Sequence, residues 1–172
     1  MRRLTIVLVT VFVLAIPAVA HAASPHFRRG GTPTCTDTGT QLACTGSLTG
    51  LGNQDLVIEL SSDAEATFLC GAPGNSNVAQ GQNKVPFEAT GSQTISGSEI
   101  KNGNATFHVV APTDPPTADW RQAGCPNKNW NVIAVQDVDF ENVVLTISQA
   151  VLLFTCTYGP EVPEGGTVTL SC

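Results

Sequence analysis

Basic residues are scarce in this chain: eight lysines and arginines stand against fourteen aspartates and glutamates in 172 residues, a formal net charge of -6. Such a surface repels phosphate backbones and anionic lipid, so nucleic acid and membrane surfaces are not expected partners. Histidine is rarer still, with three in all. Chemistry that needs a general base has little to draw on. The sequence contains no G-x-S-x-G, no H-E-x-x-H and no phosphate-binding glycine loop, which removes the common hydrolase and nucleotide signatures. It has no C-x-x-C pair, so a zinc ribbon or a thioredoxin-like redox site is not expected. From Ala23 onward no window carries apolar residues at a period of 3.6, so helix should be close to absent.

What is present begins with Arg2 and Arg3, an apolar run from Leu4 to Ile16, then Pro17 and the small-residue series Ala18-Val19-Ala20-His21-Ala22-Ala23. These are the three parts of a signal peptide, and residues 1-22 are assigned to it, with cleavage after Ala22. Pro17 interrupts the run before it reaches the roughly 20 apolar residues of a membrane span. No cysteine follows for lipid attachment, so the mature chain is expected to be secreted, extracellular and without membrane insertion. Loss of Arg2 and Arg3 leaves six basic against 14 acidic residues, a net charge of -8, which indicates solubility; a monomer is expected. Residues 23-33, with Arg28-Arg29-Gly30-Gly31, read as a flexible lead-in.

From residue 34 to 172 the dominant period is two. Leu42, Cys44, Gly46 and Leu48 alternate with Ala43, Thr45, Ser47 and Thr49, and similar alternation marks Leu56 to Leu60 and Ala64 to Cys70. Each run predicts a strand with one face inward. Ser61-Ser62-Asp63 predicts a hairpin turn between the last two. Gly71 to Lys84 and Ala111 to Lys128 predict long surface loops, the second carrying four prolines. Further strands are expected at Val85 to Ala89, Ala105 to Val109 after the Asn102-Gly103 turn, Trp130 to Val138, Asn142 to Ser148, Val151 to Tyr158 and Thr167 to Cys172. Eight or nine short strands indicate an all-β domain. A disulfide-stapled β-sandwich, Ig-like or related, is the expected fold, with a small β-barrel as the alternative.

Six cysteines in an exported chain indicate three disulfides. Opposed residues of a hairpin share a midpoint. The midpoint of Cys35 and Cys44 falls in Asp37-Thr38-Gly39-Thr40, and that of Cys156 and Cys172 falls on Glu164, inside Pro163-Glu164-Gly165-Gly166. Those two pairs are expected, which leaves Cys70 with Cys125. On the loop-closure argument this longest link stabilises by about 4 kcal/mol and the short ones by about 3 kcal/mol, before strain.

Four places could carry function. Asp137, Asp139 and Glu141 fall on one strand face and could take calcium, the competing reading being a solvated acidic face. Trp120 could stack on a sugar ring, while Trp130 is assigned to the core beside Cys70 and Cys125. Arg121, in the same proline-rich loop, could enter a protease cleft, the competing reading being a plain connection. Asn104-Ala105-Thr106 fits the N-glycosylation pattern. His108 should face solvent and His26 lies in the lead-in, so no catalytic residue is assigned and no cofactor is expected. The chain is therefore read as a secreted, non-enzymatic binding domain whose partner is an extracellular protein or a glycan, with protease inhibition through the Arg121 loop as the alternative.

Overall fold

A computed structural model describes residues 24-74 and 77-172; the expected signal peptide, 1-22, lies outside the described residues. Ten strands form, and no described residue is helical: β1 His26–Phe27, β2 Thr34–Asp37, β3 Leu42–Thr49, β4 Leu56–Gly71, β5 Val78–Gln80, β6 Val85–Ile95, β7 Ala105–Ala111, β8 Asn131–Gln149, β9 Val151–Tyr158 and β10 Thr167–Thr169. They build two five-stranded sheets in which every pairing is antiparallel.

In the first sheet β3 is the hub. β7 runs along one side of it, β2 and then β1 along the other, and β10 lies outside β2. In the second, β4 is the hub, flanked by β8 on one side and by β6 and β5 in succession on the other; β9 lies outside β8. The alternating apolar residues of both sheets meet in one buried cluster. Leu42, Leu48, Phe107 and Val109 come from the first sheet and Leu56, Ile58, Phe68, Phe140, Leu145 and Ile147 from the second.

The sheets are also joined along their sides. A Cβ at Gly91 of β6 would fall on the Val110 carbonyl of β7, so only glycine allows that approach. Beside it the Thr113 N–H donates to the Thr90 carbonyl at 3.0 Å. On the opposite side Thr157 and Ser171 exchange two backbone hydrogen bonds, of 2.8 and 2.9 Å, and the Cys156–Cys172 disulfide clamps the same place. The other two disulfides are Cys35–Cys44, between residues directly opposed on β2 and β3, and Cys70–Cys125.

Four local expectations are corrected. Ser61-Ser62-Asp63 is no turn: β4 runs straight through it, because Ser62 turns inward and its hydroxyl donates to the Glu141 carbonyl at 2.7 Å. The two strands expected at Trp130 to Val138 and Asn142 to Ser148 are one, β8, with an extra residue opposite Ser62 where Asn142 adopts a left-handed φ of 51°. An extra residue absorbs such a conformation without breaking the ladder. The Gly71 to Lys84 segment contains β5, paired back onto β4. Within the lead-in, His26 and Phe27 pair with Thr49 and Leu48, and the Arg28 N–H donates to the Ser47 carbonyl at 3.0 Å.

Candidate functional site

The segment from Pro112 to Trp130 leaves β7 in one sheet and delivers the chain to β8 in the other. Its tip is one tightly wound turn, and the residue order explains why. In Asp119-Trp120-Arg121-Gln122 the Asp119 carboxylate accepts from the N–H groups of Arg121 and Gln122 at 2.8 and 2.7 Å, while the Gln122 side-chain oxygen accepts from the Asp119 N–H at 2.9 Å. This reciprocal exchange is a capping box. At the far end Gly124, with φ of 68°, lets its own N–H reach the Arg121 carbonyl at 3.1 Å, and the Cys125 N–H reach that of Trp120 at 2.8 Å. That pair of bonds is a Schellman closure.

The turn is then fastened to the body. Ala123 is fully buried, and Cys125 bonds Cys70 on β4. The connection between β5 and β6 docks against it: the Asn83 side-chain amide donates to the Arg121 and Gln122 carbonyls at 3.2 and 3.1 Å, and the Gln82 N–H donates to the Gly124 carbonyl at 3.2 Å.

Two side chains belong to this platform. Trp120 is half-buried and, like Trp130, packs against the core, while Arg121 is exposed, its guanidinium 5.3 Å from the centre of the Trp120 indole ring, a cation–π contact. Beside them a broad depression of about 650 Å³ is lined by Gln82, Asn83, Lys84, Val85, Pro86 and Gln122. Sequence reasoning singled out Trp120 and Arg121 but not Gln82, Asn83 and Gln122, which the structure places beside them. The D-x-x-Q spacing before Gly124 was a readable signal for the turn; the docking of residues 82 and 83 had no local signal. A substrate-like inhibitor loop presents an extended backbone, whereas Arg121 lies inside a wound turn with its carbonyl bonded to Asn83 and Gly124. Trp130 is half-buried and packs against the core.

Asp137, Asp139 and Glu141 do share the outer side of β8, but they do not converge. Same-side residues of a strand are roughly 6.5 Å apart along the chain, too far to meet around an ion whose oxygen ligands lie about 2.4 Å from it. Among the described residues no group of three or more His, Cys, Asp or Glu side chains is arranged to hold a metal ion. Asp139 is instead in an ion pair with Lys84 at 2.6 Å, and the hydrogen bond to its carboxylate raises the Lys84 pKa. Directly opposite on β4 stand more carboxylates, Glu65 facing Asp139 and Asp63 facing Glu141. Asp37, only 3% exposed, has its pKa raised by burial. The Gly39 N–H donating to it at 2.7 Å opposes that shift, and the charges of Asp137, Glu164 and Asp139 add to it.

Among the described residues, His108 is exposed and the His26 ring bonds the Ser24 carbonyl at 2.8 Å. In the sequon, the Asn104 amide nitrogen donates to the Lys101 and Asn102 carbonyls at 3.2 and 3.0 Å. Comparison with protein-family models, curated proteins and solved structures found no match to this chain.

Proposed function

We propose that this chain is a secreted, non-enzymatic binding domain that recognises a glycan with the Trp120–Arg121 tip. The architecture we infer for it is a β-sandwich of the broad Ig-related kind, its joined sides approaching a flattened barrel. Three disulfides suit an oxidising, extracellular destination.

The observation that carries the reading is the tip itself. Trp120 offers an apolar ring and Arg121 a fan of donors on a turn fixed by two caps, a disulfide and Asn83, so little conformational entropy is lost on binding. The adjoining depression is lined by Gln82, Asn83 and Gln122; Asn83 donates to the Arg121 and Gln122 carbonyls and the Gln122 oxygen accepts from Asp119, and the amide groups left over match sugar hydroxyls.

The test is pull-down of the disulfide-bonded protein on a panel of insoluble and immobilised polysaccharides, with wild type, Trp120→Ala and Trp130→Phe side by side. Retention on at least one polysaccharide that is lost in Trp120→Ala and kept in Trp130→Phe is the expected result. Failure of wild type to bind any member of the panel overturns the glycan reading.

A further inference from the structure

We propose that Cys172 is a site of reversible S-thiolation, where a low-molecular-weight thiol opens the Cys156–Cys172 disulfide while the other two disulfides stay closed. Exchange needs a thiolate to reach a disulfide sulfur, so access decides which bridge reacts. Cys35, Cys44 and Cys70 are fully buried and Cys125 is 7% exposed, so both ends of those two bridges are enclosed. Cys156 is fully buried as well, but its partner Cys172 is exposed. Of the six cysteines it alone is open to solvent.

The step is thiol–disulfide exchange. The thiolate of the small thiol attacks the Cys172 sulfur; a mixed disulfide forms there as the Cys156–Cys172 bond breaks, and the electron pair leaves on the Cys156 sulfur, which takes a proton from water. The protein disulfide is itself the oxidant and the small thiol is what becomes oxidised. Burial disfavours a thiolate at Cys156, so it leaves reluctantly and opening is slow. The same strand holds the freed thiol in place, since Cys156 faces Leu145 across β8 and β9. From there it attacks the mixed disulfide, expels the small thiol and closes the bridge again.

What opens is a joint and not the core. Thr157 and Ser171 exchange their two backbone hydrogen bonds next to the bridge. Behind them the chain is anchored without the disulfide: Val168 and Leu170 are buried, β10 pairs with β2 from Thr167 to Thr169, and the Leu170 N–H donates to the Pro33 carbonyl at 3.0 Å. Opening therefore frees residues 171 and 172 from β9 and loosens the two sheets along this side, while β10 stays on the first sheet.

The test is incubation of the folded, fully oxidised chain with reduced glutathione at about pH 8, where attacking thiolate is present. Timed samples are quenched in acid, alkylated under denaturing conditions and mapped by mass spectrometry. Cys156 and Cys172 should be recovered open at least about tenfold faster than any other cysteine, with the glutathione adduct on Cys172. Hydrogen exchange of the opened chain should show protection lost at Thr157 and Ser171 and kept at Leu170. Opening of Cys35–Cys44 or Cys70–Cys125 at an equal or faster rate, or an adduct on Cys156 in place of Cys172, overturns the proposal. Protection lost at Leu170 as well would make the bridge a staple of the whole sheet and overturn it too.

Discussion

Ser62 donates its hydroxyl to the main-chain carbonyl of Glu141 across 2.7 Å, at the point where β8 carries one residue more than β4. The bond stitches the two longest strands together where their ladder is interrupted. Its removal should cost about 1 kcal/mol, the ordinary net worth of a buried hydrogen bond. Urea unfolding of Ser62→Ala should show that loss, while Ser61→Ala, whose side chain lies on the other face, should change stability by less than about 0.5 kcal/mol.

Asp37 sits buried with Asp137, Glu164 and Asp139 around it, and burial raises its folded pKa above the ordinary aspartate value. The folded state therefore binds the proton more tightly than the unfolded state. Stability from this group is fully present below its unfolded pKa and is lost as pH rises through the folded one. Asp37→Asn keeps an oxygen to accept from the Gly39 N–H and removes the charge. Thermal melts should show the variant more stable than wild type at pH 7, with the gap closing below about pH 4. A gap that widens on acidification would refute the assignment.

The three disulfides should not be equal. Cys70–Cys125 spans 55 residues, against 9 for Cys35–Cys44 and 16 for Cys156–Cys172. Replacing both members of a pair by alanine should cost about 4 kcal/mol for the first and about 3 kcal/mol for either of the others. Chemical unfolding of the three double variants gives the ranking. The Cys70/Cys125 variant should also lose protection of the Arg121 to Gly124 amides in hydrogen exchange, because the clasp holds that turn.

The sequence made legible whatever depended on period or symmetry. Alternation exposed the strands, and the shared midpoint of Cys35 and Cys44 reported a true opposition because a hairpin has no other way to pair. It misled where composition and context disagree. Ser61-Ser62-Asp63 has the polarity of a turn, yet a partner strand with a spare carbonyl turns Ser62 into a buried donor. Asn142 looks like a strand end, yet a bulge uses its tolerance for positive φ. Val162 lies in a proline-rich connection but is buried, its N–H donating to the Phe140 carbonyl at 2.8 Å. The tip was legible only as far as Trp120 and Arg121. Asn83 reaches it from 38 residues away, and no local pattern encodes such a contact.

The tip formed by Trp120 and Arg121 is proposed as the surface that meets a glycan. Tryptophan fluorescence of Trp130→Phe, which leaves Trp120 as the remaining indole, titrated with the polysaccharide that retains wild type, tests it most directly. A saturable change in emission that disappears when Trp120 is also replaced by phenylalanine is the predicted result. Emission that stays constant while the polysaccharide binds would place the contact elsewhere and contradict the account.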